Sequence, residues 1–299
     1  MNDQKPRDLT GYDPEQTDEC ERVLVTLLSG LGPWKDSVYL VGGLAPRYIV
    51  PADPERPPHG GTADVDVVMR LSVLADTKGY KTLEENLERL GFSRVPNPKG
   101  GVYSWRWQVM TGDDHSVILE FLTGDLEARK GELEALPVKG GKLNACNFPA
   151  LHLVYHFFDE REVRAELLGD KGVAVVKLRH ANAVSFLCAK TDAFVDRGEE
   201  KDAHDIAYCL ENMDFDTAIA KFTAGLETEF RTMILTQLEL LKTRFCSDND
   251  TEGYRKDGPR KAAMFELPDD GSYEIEERRA LRQRQISGAA ERLISALGM

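Results

Sequence analysis

The sequence predicts a mixed α/β (α+β) fold, with a mixed sheet and flanking helices at the front of the chain and a helical region behind it. Before about residue 180, short apolar segments of strand length alternate with segments of helical apolar spacing. After that residue, only helical spacing recurs. The chain has 299 residues, of which 41% are hydrophobic and 30% are charged, so it can bury a core.

The strand predictions depend on short apolar runs that are bounded by turn residues. Gly42 and Gly43 follow the first run directly, and Thr-Gly-Asp-Asp separates the third run from the fourth. A Gly-Asp-Lys-Gly turn separates the last two runs, which could pair as a hairpin. The predicted strands are Val38–Val41, Val65–Leu71, Val102–Met110, Val117–Leu122, Glu162–Leu168 and Val173–Leu178.

The helix predictions depend on apolar residues spaced three and four apart. In the front part, the predicted helices are Cys20–Leu31, Leu44–Val50 and Tyr80–Leu90. Behind the boundary they are Ala181–Arg197, Lys201–Asn212, Asp216–Cys246 and Glu274–Leu297, with a polar stretch over Ser247–Ser272. We therefore expect a flexible N-terminus over residues 1–19, a mixed α/β domain over 20–180 and a helical domain over 181–299.

The charge balance and the cysteines exclude several classes of protein. The chain has 38 Lys+Arg and 51 Asp+Glu, so a net charge of −13 argues against a dedicated nucleic-acid coat. Five scattered cysteines contain no Cys-x-x-Cys pair, which excludes a zinc knuckle and favours a reducing compartment. Since the sequence contains neither a membrane-length apolar run nor a signal-peptide core, we expect a cytoplasmic protein.

Three acidic residues on predicted strands are candidate metal ligands. Asp64 and Asp66 lie two apart, so both carboxylates project from one face of their strand while Val65 and Val67 point into the core. Glu120 interrupts a second apolar strand. Carboxylate oxygens suit Mg²⁺ or Mn²⁺ completed by substrate phosphates. Taken singly, the Asp pair could also be a solvated strand start, and Glu120 an edge-strand residue facing water.

Two further segments complete the pattern. Gly42 and Gly43 connect a strand to a short helix, a place where backbone N–H groups can approach a phosphate, although a tight turn has the same sequence. Behind the boundary lies Lys190, followed by Arg197-Gly-Glu-Glu-Lys201-Asp202-Ala-His-Asp205. Ion pairing and helix capping could explain each of these charged residues singly.

In this order, Val41-Gly42-Gly43, Thr62-Ala63-Asp64-Val65-Asp66 and the Lys190 to Asp205 segment resemble the nucleotidyltransferase superfamily. The last segment is similar to the AbiEii/AbiGii-like toxins of type IV toxin–antitoxin systems. The resemblance covers about residues 38–212. It departs from the family at Gly43, where many relatives have Ser, and in a Pro-rich insertion over residues 51–61.

The resemblance implies transfer of a nucleoside monophosphate from an NTP, with release of pyrophosphate and two metal ions at the site. Asp64, Asp66 and Glu120 would hold Mg²⁺ or Mn²⁺, and Glu120 could take the proton of the attacking hydroxyl. Lys190 would neutralise the triphosphate, and Asp205 would orient Lys190 or contact the ribose. Nucleotide-binding roles are implied for Gly42, Gly43, Arg47, Thr62 and Lys190.

The identity of the acceptor stays open. RNA such as a tRNA 3′ end is one expected acceptor. The candidate basic residues for RNA are Arg161, Arg164, Lys171, Lys177 and Arg179, together with the Arg255–Lys261 run and Arg278–Arg284, although such residues can equally form solvated faces. The same chemistry could act on a small molecule or on a protein hydroxyl. A non-catalytic relative that binds a nucleotide or a cognate antitoxin is a further alternative, and the retained carboxylates argue against it. The last alternative is an unrelated α/β domain in which the spacing of the motifs is chance.

Overall fold

The structure is a computed structural model that describes residues 6–56, 59–70, 80–112, 115–135 and 143–299. The chain forms two compact units. The sheet unit consists of residues 14–45 and 62–181, and the helical unit consists of residues 46–61 and 182–299 with the residues up to 13. The predicted fold class is confirmed, because a mixed sheet with helices is followed by a helical C-terminal region.

The described residues contain nine strands, all of which lie in the sheet unit. They are β1 Val38–Val41, β2 Asp64–Met69, β3 Ser93–Pro96, β4 Val102–Met110, β5 Ser116–Thr123, β6 Leu133–Ala135, β7 Asn144–Asn147, β8 Phe158–Glu166 and β9 Val173–Ala181. The main strand order is β3-β4-β5-β2-β1-β9-β8, with β7 pairing both β5 and β6. The predicted end of the second strand, Leu71, lies outside the described residues.

The sheet is mixed, and its central strands pair in both directions. β2 is parallel to β5 and antiparallel to β1, whereas β4 is antiparallel to β5. β8 and β9 form the hairpin that the Gly-Asp-Lys-Gly turn predicts. The start of β2 lies beside the middle of β5 at the centre of the sheet, with Asp64 opposite Ile118 and Asp66 opposite Glu120.

The helices are α1 Pro14–Gly30, α2 Pro46–Ile49, α3 Tyr80–Arg89, α4 Ala183–Arg197, α5 Glu200–Asn212, α6 Phe215–Leu226, α7 Arg231–Phe245, α8 Asp257–Glu266 and α9 Tyr273–Ala296. In the sheet unit, α1 packs on β2, β8 and β9 and buries Val23, Leu24 and Leu27 completely. In the helical unit, α5 packs against α4, α8 and α9. None of the helices in the described part of the chain is both long and apolar enough to cross a membrane.

Helices lie differently from the sequence prediction in three segments. The N-terminal segment is helical from Pro14 rather than flexible to residue 19, since proline is pre-organised for a first turn. The predicted helix Asp216–Cys246 is two helices, because the chain turns after Leu226 and Thr228 Oγ1 bonds the carbonyl of Gly225. The polar stretch 247–272 contains α8, whose Pro259 lies in the first turn and so removes no helical hydrogen bond.

Candidate metal centre

Strand β2 presents the two aspartates as its alternation predicts. Val65 and Val67 are fully buried, whereas Asp66 is half-buried and Asp64 is 6% exposed. Residues two apart on a strand share a face, so the two carboxylates lie together.

Glu120 lies on the adjacent strand, directly opposite Asp66. The parallel register pairs Asp66 with Glu120 and Asp64 with Ile118. Each of the three carboxylates offers an oxygen, and these oxygens lie within 4.8 Å of one another. Because β5 lies between β2 and β4, Glu120 is not on an edge strand. The structure therefore brings together the three residues that the sequence selects as metal ligands.

Thr62 orients one of these carboxylates. Its Oγ1 donates a hydrogen bond of 2.8 Å to Asp64 Oδ1, and its N–H donates to Thr17 Oγ1 at 3.2 Å. The Cys20 thiol donates to the Thr62 carbonyl at 3.6 Å. Thr62 is only 2% exposed, so its hydroxyl holds Asp64 in place from within the protein.

Gly42 allows the turn after β1 to pass directly over Asp66. The turn Gly42–Leu44 is a single 3₁₀ turn with Gly43 buried inside it. Gly42 has a φ of +68°, and a Cβ built on it would lie 1.8 Å from Asp66 Oδ2. Both the left-handed backbone and the close approach require glycine at this position.

Arg106 contacts the site, although the sequence analysis did not select it. β4 and β5 pair so that Arg106 lies opposite Glu120. Arg106 Nε and Nη2 donate hydrogen bonds of 2.7 Å and 2.5 Å to Glu120 Oε1. An arginine opposite a glutamate on an antiparallel strand pair indicates an ion pair, but this signal can be used only when the register of the two strands is known.

The other candidate residues lie in the helical unit. Arg47 is exposed on α2. Lys190, on α4, lies with its Nζ 2.7 Å from Asp205 Oδ2 and 3.0 Å from Asp202 Oδ1. Lys190 and Asp205 are thus in contact, and the role of Asp205 in orienting Lys190 stays a prediction from the resemblance. The side chain of Lys190 is 11% exposed, and its ammonium belongs to a largely buried ion-pair cluster.

This cluster holds two buried carboxylates among several cations. Asp202 also accepts from Arg197, whose Nε lies 2.6 Å from Oδ2, and Asp205 Oδ1 accepts from Lys201 Nζ at 2.8 Å. Although burial alone would raise the pKa of Asp205, Lys190 and Lys201 hold that pKa well below its usual value. Burial alone would likewise lower the pKa of Lys190, but Asp205 and Asp202 raise it overall.

His59 joins the same cluster from the Pro-rich insertion. Its Nε2 lies 2.7 Å from Asp205 Oδ1, and burial lowers its pKa to about 4 although Asp205 opposes the shift. His59, His204 and Asp205 also have possible ligand atoms within 4.8 Å. These atoms already have protein donors, since Gly60 N–H reaches His204 Nε2 at 3.3 Å and Lys201 binds Asp205. We therefore assign this group to the internal hydrogen-bond network.

Two of the basic residues proposed for RNA in the β8–β9 hairpin are ion-paired. Lys177 and Arg179, on β9, both contact Glu160 of β8. The pKa of Glu160 is lowered by its hydrogen bonds to these two residues. Arg161 and Arg164 are exposed on β8, and Lys171 is exposed in the β8–β9 turn.

The sequence matches no family model and shows no significant match to a curated protein.

The carboxylate group fits a hard divalent cation. It offers three anionic oxygens and no sulfur or imidazole ligand, which is the donor type that Mg²⁺ and Mn²⁺ prefer. Like charges this close repel one another, and a divalent cation would offset two of the three negative charges. Burial raises the pKa of the nearby Cys20 thiol, and the charges of Asp64 and Asp66 raise it further. The electrostatic potential around Cys20 is thus negative, as a cation site requires.

Proposed function

We propose that the protein is a metal-dependent nucleotidyltransferase that moves a nucleoside monophosphate from an NTP to an acceptor hydroxyl. The observation that carries this proposal is the group formed by Asp64, Asp66 and Glu120. Three carboxylates converge on two adjacent strands, beside a glycine turn whose close approach excludes any side chain. The glycine turn and the two aspartates occur in the order and spacing of the motifs that resemble the nucleotidyltransferase superfamily.

The chain's own residues would perform four tasks in this reaction. Asp64 and Asp66 would hold the cation, and Thr62 would fix Asp64 through its hydroxyl. When bound, Mg²⁺ or Mn²⁺ supplies positive charge that offsets the charge of the phosphate oxygens. The turn at Gly42 would bring backbone close to the nucleotide phosphates.

Glu120 would receive the proton of the acceptor hydroxyl. The acceptor oxygen then forms a bond to the α-phosphorus, the bond to the bridging oxygen breaks, and pyrophosphate leaves. The roles of Lys190, Asp205 and Arg47 toward the triphosphate or ribose stay predictions from the resemblance.

We extend the proposal to a toxin-like role with RNA, such as a tRNA 3′ end, as the acceptor and with a cognate antitoxin as a partner. The motif segment from Lys190 to Asp205 supports this extension, because it is the part similar to the type IV toxins. If the label goes to a small molecule or to a protein instead of RNA, that acceptor replaces RNA in the proposal.

The decisive experiment offers each α-labelled NTP with Mg²⁺ to total RNA, to protein and to small cationic acceptors. We expect label that survives denaturation, and we expect Asp64→Asn, Asp66→Asn and Glu120→Gln each to lower transfer by at least ~10²-fold. Glu160→Gln is the matched control, since Glu160 is a strand carboxylate of the same unit that pairs with Lys177 and Arg179, outside the carboxylate group.

Thermal unfolding separates loss of chemistry from loss of fold. Replacing one of three adjacent carboxylates relieves repulsion, so the melting temperature of Asp66→Asn should equal or exceed that of the wild type. Transfer by Asp66→Asn at the wild-type rate would refute the assignment. Binding of NTP without transfer to any acceptor would favour the non-catalytic alternative.

A further inference from the structure

Arg106, Glu120 and Asp66 form one row across three adjacent strands. The antiparallel pair places Arg106 opposite Glu120, and the parallel pair places Glu120 opposite Asp66. Residues in direct register project from the same face of a sheet. Arg106, on β4, is therefore the next side chain beyond the carboxylate group in the direction across the sheet.

The contact between Arg106 and Glu120 uses only one carboxylate oxygen. Both Nε and Nη2 of Arg106 donate to Oε1, at 2.7 Å and 2.5 Å, instead of forming a fork across both oxygens. The side chains are 22% and 12% exposed, so the pair is partly shielded from water. An Arg–carboxylate contact of this kind fixes the orientation of the carboxylate and leaves Oε2 to another partner.

Arg106 also contacts two aromatic rings. Its guanidinium carbon lies 4.9 Å from the ring centre of Trp105 and 5.4 Å from that of Tyr103. Cation–π contacts at these distances restrict the position of the guanidinium. Arg106 is thus a fixed group that can position its partner.

We propose that Arg106 is a positioning residue of the metal centre, which binds Glu120 Oε1 so that Oε2 serves the cation held by Asp64 and Asp66. This inference rests on the proposed function. Outer hydrogen-bond partners of metal-ligating carboxylates typically contribute 10–100-fold to metal affinity. A guanidinium that acted only as a competing counter-charge would instead lower the metal affinity, because its positive charge repels a cation.

The sign of the change in cation affinity therefore distinguishes the two roles. The measurement is the dissociation constant of Mn²⁺, obtained from the electron paramagnetic resonance signal of the free ion, on the full chain without nucleotide. We expect Arg106→Ala to weaken Mn²⁺ binding by about 10–100-fold. Arg106→Lys should give an intermediate affinity, because its ammonium keeps the charge but not the planar pair of donors.

Arg94→Ala is the matched control. Arg94 lies on the neighbouring strand β3, pairs with Glu84 at 3.0 Å and stacks on Trp107 at 4.6 Å. The Arg94→Ala variant therefore loses an Arg–Glu pair and a cation–π contact of the same kind, but at a place away from the carboxylate group. Its Mn²⁺ affinity should equal that of the wild type.

The outcomes separate this inference from the proposed function. If the wild type binds Mn²⁺, Asp66→Asn loses it and Arg106→Ala binds as tightly as or more tightly than the wild type, the positioning role is refuted and the metal centre stands. If the wild type does not bind Mn²⁺, both fail. If Arg106→Ala does not fold, Arg106→Lys decides, and an affinity equal to that of the wild type overturns the inference.

Discussion

Adding one methyl group at Gly42 should disrupt both the backbone and the proposed metal centre. In Gly42→Ala, the new Cβ would lie 1.8 Å from Asp66 Oδ2 and 2.6 Å from Asp66 Cγ. The carboxylate would have to move by about 1.6 Å to restore an ordinary van der Waals contact. Because Gly42 also has a φ of +68°, alanine carries a left-handed backbone cost of about 1–2 kcal/mol.

Gly32 provides a control for the backbone cost alone. It lies in the same unit with a φ of +59°, and no atom lies within 4 Å of a Cβ built on it. Gly32→Ala should therefore lose only about 1–2 kcal/mol of unfolding free energy. Gly42→Ala should lose a further ~1–3 kcal/mol, the usual cost of overpacking, as the Asp66 carboxylate is displaced.

Two measurements test this comparison. Urea unfolding gives the free energies, and titration with Mn²⁺ reports the metal centre. We expect Gly42→Ala to weaken Mn²⁺ binding by at least ~10-fold, whereas Gly32→Ala leaves it unchanged. Equal free energies and equal affinities for the two variants would refute the close approach of Gly42 to Asp66.

Two further predictions concern the helical unit. Lys190→Met removes the cation between two buried carboxylates, so urea unfolding should show a loss of about 3–5 kcal/mol, against less than ~1 kcal/mol for Lys177→Met at an exposed pair. A loss below ~1 kcal/mol for Lys190→Met would contradict its role in the cluster. His59 has a folded pKa of about 4 and an unfolded pKa of 6.5, so the stability that it contributes is complete above pH 6.5 and is lost as the pH falls toward 4. Between pH 6.5 and pH 4, the unfolding free energy of the wild type should therefore fall by on the order of 2–3 kcal/mol more than that of His59→Gln. If the unfolding free energies of the two proteins change in parallel with pH, His59 is not a buried neutral histidine.

The local alternation of residues made the shared face of the candidate metal ligands predictable. Asp64 and Asp66 alternate with two valines, so their shared face follows from the two-residue period of a strand alone. Glu120 could be selected because a carboxylate within an apolar strand needs a partner. Its position opposite Asp66 could not be derived, because it depends on which strands are neighbours and in which register they pair.

The residues that sequence reasoning missed all act through distant contacts. Arg106 is 14 positions from Glu120, and His59 is 146 positions from Asp205. Neither pair has a local signal such as a cap or a helical spacing. The helix α8 was missed for a different reason, since Gly258 and Pro259 are typical of loops but are tolerated in the first turn of a helix.

The way the two units share the chain has a consequence for attempts to divide the protein. Residues 46–61 belong to the helical unit although both flanking segments belong to the sheet unit. His59 and Gly60 contact Asp205 and His204 of α5, more than 140 positions later. A truncation at residue 181 would therefore strip these two residues of their partners while leaving them between β1 and β2. Any attempt to obtain the sheet unit alone must replace residues 46–61 with a short linker as well as remove the C-terminal helices.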